Sequence, residues 1–120
     1  MKILIVDDSR AMRLIVMKTL REAGYSGHDL SEAEDGAKAL EAIKANGPDL
    51  VLCDWNMPNM TGLELLQALN EEEISGVFGF VTTETTQEMK DKASELGAKF
   101  LISKPFTPES FKQALDVYIN

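Results

Sequence analysis

Four short apolar runs, at residues 2–6, 50–53, 77–81 and 100–102, punctuate the chain, each bounded by polar or turn-forming residues. Their hydrophobicity is continuous rather than alternating, the pattern of strands covered on both faces, as in a parallel sheet. Residues 28–33 form a fifth, more polar candidate with Leu30 as its only large apolar side chain, which suits an edge strand. Between these runs, apolar residues recur at three- and four-residue intervals. Met12, Ile15, Val16, Thr19, Leu20 and Ala23 make the first stripe, ended by Gly24. Ala39, Leu40 and Ile43 make the second, ended by Asn46-Gly47-Pro48. Leu65, Leu66 and Leu69 follow Thr61, which stands three residues before Glu64, the spacing of a capping box. Thr85 and Glu88 offer a second box ahead of Met89, Ala93 and Leu96, and Gly97 ends that stripe. Thr107-Pro108, a cap followed by proline at the first helical position, opens a stripe of Phe111, Ala114, Leu115 and Tyr118.

Strand and helix therefore alternate five times, which predicts an α/β fold: a doubly wound, five-stranded parallel sheet with helices on both faces. With the polar second strand at an edge, the natural order is 2-1-3-4-5. There is no linker, low-complexity stretch or internal repeat, so residues 1–120 are expected to form one domain. That length is enough for a real hydrophobic core. Hydrophobic residues make up 44% and charged residues 27% of the chain, proportions of a globular domain rather than a disordered one.

No apolar stretch approaches the ~20 residues that cross a bilayer. Met1-Lys2 leads straight into a run too short for a signal-peptide core and without a small-residue cleavage site. A cytoplasmic location with no membrane partner is expected. The single Cys53 lies inside an apolar run and reads as a buried thiol. A net charge of −8 argues against nucleic acid as a partner, since phosphates must be met by clustered Lys and Arg.

The candidate chemistry lies where the runs end. The first is followed by Asp7-Asp8, the second by Asp54, the third by Thr82-Thr83 and the last by Ser103-Lys104. In the 2-1-3-4-5 order the chain reverses between strands one and three, leaving a ligand crevice at their carboxyl ends. Adjacent strands lie about 4.8 Å apart, so these acids can reach one ion. Three anions about 4 Å apart repel by several kcal/mol per pair at an effective dielectric near 20, so water must screen them or a cation must sit among them. A divalent metal with a phosphoryl group beside it fits best. Each residue alone has a plainer reading: Asp8 or Ser9 as a helix cap, Asp54 as a loop carboxylate, Lys104 as a solvated lysine. Those readings do not explain why acid, acid, hydroxyl and lysine end strands one, three, four and five.

Val6-Asp7-Asp8-Ser9, Asp54-Trp55-Asn56-Met57-Pro58-Asn59-Met60-Thr61-Gly62-Leu63-Glu64-Leu65-Leu66, Val81-Thr82-Thr83-Glu84 and Lys104-Pro105-Phe106 resemble the receiver domain of two-component response regulators. The likeness spans essentially the whole chain, and the Trp-Asn-Met-Pro-Asn-Met run points to the stand-alone chemotaxis type. That family has the flavodoxin-like 2-1-3-4-5 order, so strand order and resemblance are not independent inferences.

The resemblance implies a phosphorylation-dependent switch rather than a turnover enzyme, apart from self-phosphorylation from a phosphodonor and autodephosphorylation. Asp54 would be the phosphoacceptor, with Lys104 pairing to a phosphoryl oxygen and Thr82 donating its hydroxyl to another. The implied cofactor is Mg2+, with Asp8, Asp54 and the backbone carbonyl of Asn56 as ligands and Asp7 acting through water. The Lys104–Pro105 peptide is a candidate cis bond. Implied partners are a histidine kinase, a phosphatase, and a protein target on the face of helix four, strand five and helix five. The flagellar motor switch is the first candidate target and a phosphorelay the second. A monomer is expected, either a free-standing shuttle or a fragment of a longer regulator.

Asn56 and Glu84 occupy the positions that set phosphoryl lifetime in the family, and this polar pair predicts a short one. Thr83 is bulkier than the small residue of many relatives and would narrow access. Family members couple activation to an aromatic residue three before the lysine; here that position is Leu101, and the aromatic is Phe100. One step along a strand reverses the face, so Phe100 is read as core or partner contact, and Phe100 and Leu101 as part of the output surface. Trp55 should report metal binding by its emission.

The remaining features read as structural. They are His28 on the edge strand, Glu71-Glu72-Glu73 as a solvated helix end, Met12, Met17 and Met89 as filler, and Gly79 as permitting close helix packing. A magnesium-dependent hydrolase with an aspartyl nucleophile is the main alternative, but it would carry Asp-x-Asp on strand one. A flavin or nucleotide binder would need a phosphate loop where Asp7-Asp8 stands. A metal-free pseudo-receiver would not keep every acidic position filled.

Overall fold

The computed structural model describes residues 1–83 and 85–119, and each apolar run is a strand in it. In chain order the elements are β1 (Lys2–Val6), α1 (Arg10–Glu22), β2 (Asp29–Ala33), α2 (Gly36–Asn46), β3 (Leu50–Cys53), α3 (Gly62–Glu71), β4 (Val77–Thr82), α4 (Gln87–Glu95), β5 (Phe100–Ser103) and α5 (Pro108–Leu115). The sheet runs β2-β1-β3-β4-β5, every pairing parallel. The predicted order is the observed one, with the polar β2 at an edge.

Alternation along the strands divides the interior into two cores. Leu4, Val6, Val51, Cys53, Phe78 and Phe80 pack with Ala39, Ile43, Leu65, Leu69 and Ala93, from α2, α3 and α4. Ile3, Ile5, Leu50, Leu52, Val81 and Ile102 face the other way, onto Val16 and Leu20 of α1 and Phe111 and Leu115 of α5. Continuous apolar runs follow from this double covering, because every residue of β3 is buried.

Caps fix where the helices begin. Ser9 Oγ accepts the Met12 N–H at 3.2 Å and caps α1. Thr61 and Glu64 form the predicted capping box on α3, at 3.2 and 3.0 Å. The box predicted from Thr85 and Glu88 does not form: Thr86, one residue later, caps α4 and takes the Met89 N–H at 3.3 Å, with Met89 rather than a glutamate at the third helical position. Adjacent threonines can each cap, and with Thr86 chosen Glu88 still lies in the first turn, where a carboxylate suits the helix's positive end. The stripe through Tyr118 overruns α5, which stops at Leu115. Tyr118 lies beyond it, its ring 6.0 Å from that of Phe100 and its hydroxyl donating to the Lys99 carbonyl at 3.4 Å.

Further corrections concern single residues. His28 precedes β2 rather than lying in it, and its Nδ1 is 3.1 Å from the terminal ammonium of Met1. Of the three consecutive glutamates only Glu71 is helical; Glu72 is the C-cap and pairs with Lys44 at 2.6 Å, and Glu73 turns the chain at φ 55°. Gly79 makes room for a neighbouring strand rather than for a helix. It is opposite Phe100 in the β4–β5 register, and a Cβ there would intrude into the Phe100 ring.

Gly79→Ala should therefore cost about 1–3 kcal/mol in urea unfolding, the usual penalty for overpacking. Combining it with Phe100→Leu should recover part of that loss. Equal stability of Gly79→Ala and the parent chain would show that the ring moves aside freely.

Candidate functional site

Backbone hydrogen bonds bring the strand ends level. The Asp54 N–H donates to the Val6 carbonyl at 2.9 Å, the Asp7 N–H to Ala33 at 3.2 Å, and the Lys104 N–H to Thr82 at 2.9 Å. Asp7, Asp54 and Lys104 thus leave β1, β3 and β5 at one edge of the sheet. Each of Asp7, Asp8 and Asp54 places a carboxylate oxygen within 4.8 Å of the other two. The juxtaposition predicted from the ends of the apolar runs is present.

Lys104 stands between two of these acids. Its Nζ donates to Asp7 Oδ2 at 3.1 Å and lies 3.5 Å from Asp54 Oδ1. The three side chains are largely buried, 6% exposed for Asp7, 14% for Asp54 and 15% for Lys104. Asp8 is exposed, so the cluster opens to solvent on its side. The Asp54 carboxyl is held above its ordinary value of 3.8, first by burial and then by the neighbouring Asp7 charge. Lys104 and the Trp55 N–H, which donates to Asp54 Oδ1 at 2.8 Å, oppose that rise without cancelling it. Burial also pushes the Cys53 thiol up, with Asp54 and Asp7 adding to the effect, and Cys53 donates to the Asp54 carbonyl at 3.2 Å. It is an inert core thiol, as its place in an apolar run predicts.

The loop after β3 is pinned from below. A Cβ on Gly62 would collide with the Asp54 carbonyl oxygen, and one on Gly36 with the carbonyl of Met60. Asn59, at φ 68°, donates its side-chain amide to Asp35 Oδ2 at 3.1 Å, while Asp35 Oδ1 caps α2. Trp55 is buried with its ring 4.7 Å from that of Phe80, beside the acids. Asn56, in this loop, is exposed.

The other sequence-predicted residues fall as follows. Thr82 ends β4 and is fully buried, and Thr83 beyond it is exposed. Glu84 lies outside the described residues. The Lys104–Pro105 peptide is cis. Phe100 packs with the α1–α5 core and Leu101 with the opposite one, so the two do face opposite sides of the sheet. One residue escaped notice: Arg13, whose guanidinium reaches the Asp7 carbonyl at 2.7 Å and Glu32 Oε1 at 2.9 Å. Its signal was a cation beside Met12 and Val16, on the inward stripe of α1.

Chemically, three carboxylates against one ammonium leave two negative charges when all are ionised. The donors are hard oxygens with no imidazole or thiolate among them, which fits magnesium or another hard divalent cation better than zinc or copper. Among the described residues no helix is long and apolar enough to cross a membrane.

Residues 3–116 match the family described as the response regulator receiver domain. The chain is 41% identical over 118 residues to the chemotaxis protein CheY-3 of Vibrio cholerae, covering 97% of this chain and 89% of that one. It is 40% identical over 125 aligned positions to the chemotaxis protein CheY1 of Helicobacter pylori, covering 100% and 98%. Among solved structures, the chemotaxis protein CheY4 of Vibrio cholerae superposes with a TM-score of 0.86 at 33% identity, over 98% of each chain. The signal receiver domain of the response regulator NarL from Mycobacterium tuberculosis gives 0.85 at 30% identity, over 98% and 94%. Strand order, the acidic edge with its lysine, and similarity over nearly the full length agree, and the chain belongs to the response regulator receiver family.

Proposed function

We propose that this protein is a phosphorylation-operated signalling switch in which Asp54 takes a phosphoryl group from a histidine kinase and the modified domain changes its affinity for a protein target. The observation that carries this reading is Lys104 held between Asp7 and Asp54 beside an exposed Asp8. Magnesium would be held by Asp8, Asp54 and the Asn56 carbonyl, with Asp7 through water, and when bound it supplies charge neutralisation for the phosphoryl oxygens.

The chain's own groups do the rest. An Asp54 carboxylate oxygen attacks phosphorus as the phosphorus–nitrogen bond of the donor imidazole breaks, leaving an acyl phosphate on the protein. Lys104 shifts its ammonium from the carboxylates to a phosphoryl oxygen, and the Thr82 hydroxyl donates to another. Hydrolysis of the acyl phosphate by water, with or without a phosphatase, resets the switch. The target would meet α4, β5 and α5, where a shallow recess is lined by Leu101, Ser103, Pro105, Ser110 and Gln113. The flagellar motor switch is the favoured target, because the relatives at 40–41% identity are named chemotaxis proteins.

Magnesium together with a small phosphodonor should add one acid-labile phosphate detectable by intact mass, and Asp54→Asn should take none. Labelling of Asp54→Asn equal to the parent would remove Asp54 from the role. Lys104→Ala should still bind magnesium but lose the phosphorylation-dependent change in target affinity; a full response would count against the lysine. Magnesium at a hundred times its dissociation constant should stabilise the protein by about 2.7 kcal/mol.

The metal-free protein has its own pH signature. Because the folded state holds the Asp54 carboxyl above 3.8, it binds that proton more tightly than the unfolded chain does. Stability from this group is present at low pH and is lost as pH rises from near 3.8 through the raised value. Asp54→Asn should therefore stabilise the metal-free protein at pH 7, by on the order of 1 kcal/mol, and flatten that part of the profile. A destabilised Asp54→Asn would mean that Lys104 gains more from the carboxylate than burial costs it.

A further inference from the structure

Arg13 has no part in the chemistry above, yet it is held as closely as the acids. Its side chain is 12% exposed. Nη1 donates to the backbone carbonyl of Asp7 at 2.7 Å, and Nε donates to Glu32 Oε1 on β2 at 2.9 Å. A guanidinium buried to this extent is tolerated because charged and polar partners meet it.

The contact to Asp7 completes a bracket. The Asp7 N–H is bonded to the Ala33 carbonyl at 3.2 Å, its Oδ1 accepts the Ser9 N–H at 2.9 Å, and its Oδ2 accepts from Lys104. With the carbonyl taken by Arg13, the peptide plane between Asp7 and Asp8 cannot rotate without breaking a charge-assisted bond. The Asp8 carboxylate itself makes no hydrogen bond or ion pair with another described residue, so among those residues only the backbone sets where its side chain starts.

We propose that Arg13 is a positioning residue for the divalent cation: it sets the Asp7–Asp8 peptide so that both carboxylates face one ion, and Glu32 holds the guanidinium in place. This rests on the acids being a cation site, which the parent protein tests separately. Arg13 exerts two effects of opposite sign. As a bare positive charge near the site it repels a cation, so removing it would tighten binding. As a bracket it preorganises two acids, so removing it weakens binding.

Magnesium affinity measured by calorimetry on the full chain decides between them, with urea unfolding of each variant alongside. Arg13→Met should weaken binding about tenfold, the lower end of what loss of a group supporting metal ligands costs. Arg13→Lys should recover part of that loss, since an ammonium can reach the carbonyl but cannot also hold Glu32. Arg10→Met, which removes an exposed arginine of the same helix, should leave affinity unchanged or slightly tighter. Affinity of folded Arg13→Met equal to or tighter than the parent overturns the proposal, as does a lowered urea midpoint with unaltered affinity. Should Arg13→Met not fold, Arg13→Gln takes its place, since it also removes the positive charge: binding weakened several-fold supports the bracket, and binding unchanged or tighter refutes it. No magnesium binding by the parent would instead end the cation reading, and the proposal with it.

Discussion

Like charge held at one edge of a parallel sheet is the constraint around which this molecule is arranged. Two of the three carboxylates are largely withdrawn from water, and a single ammonium stands 3.1 Å from one and 3.5 Å from the other. Desolvation raises the cost of each charge, and a lysine shared between two acids does not neutralise both. The Asp54 carboxyl, still held above its ordinary value, records what is left over. The edge thus carries more negative charge than its own lysine balances, which suits a cation at the acids.

Parallel topology makes the imbalance possible. Because all the strands run the same way, residues far apart in sequence, Asp7, Asp54 and Lys104, leave three different strands at one rim. The covering helices keep both faces of the sheet dry, so the exit points of the strands are where polar groups can gather. Rigidity comes from the loops. The close approaches at Gly36 and Gly62, and the Asn59–Asp35 bond, hold the segment after Asp54 against the β2–α2 turn. Asp54 is thus fixed by its own strand on one side and by α3 on the other.

Much of this was legible in the sequence, for a physical reason. Strands buried on both faces read as unbroken apolar runs, β2 read as an edge because it is polar, and Thr61 with Glu64 declared the start of α3. What escaped were matters of a single residue or of contacts distant in sequence. Thr85 and Thr86 are equivalent caps until the chain is folded. The stripe through Tyr118 has the right period but belongs partly to a turn, because the ring is taken up by Phe100. Gly79 could not be explained without knowing that Phe100 lies opposite it in the register, 21 positions later in the chain. Arg13 carries one local signal, its place beside Met12 and Val16 on the inward stripe, but nothing local tells which carbonyl it meets.

The pairing of Gly79 with Phe100 bears on how strain at the site would travel. Phe100 is committed to the α1–α5 core, its ring over Gly79 and beside Tyr118, and is not poised to swing at the α4 side. Leu101 faces that side, but an aliphatic side chain has neither a hydroxyl nor a ring plane to reorient. Thr82 is tied to β5 through the backbone: the Lys104 N–H is bonded to the Thr82 carbonyl, and Thr82 is opposite Ser103 in the ladder. Thr82 and Lys104 therefore stand at the same end of the same strand pair. Between the acidic edge and the outer face, the described residues are connected by the β4–β5 ladder, and the aromatic Phe100 lies on the opposite side of the sheet.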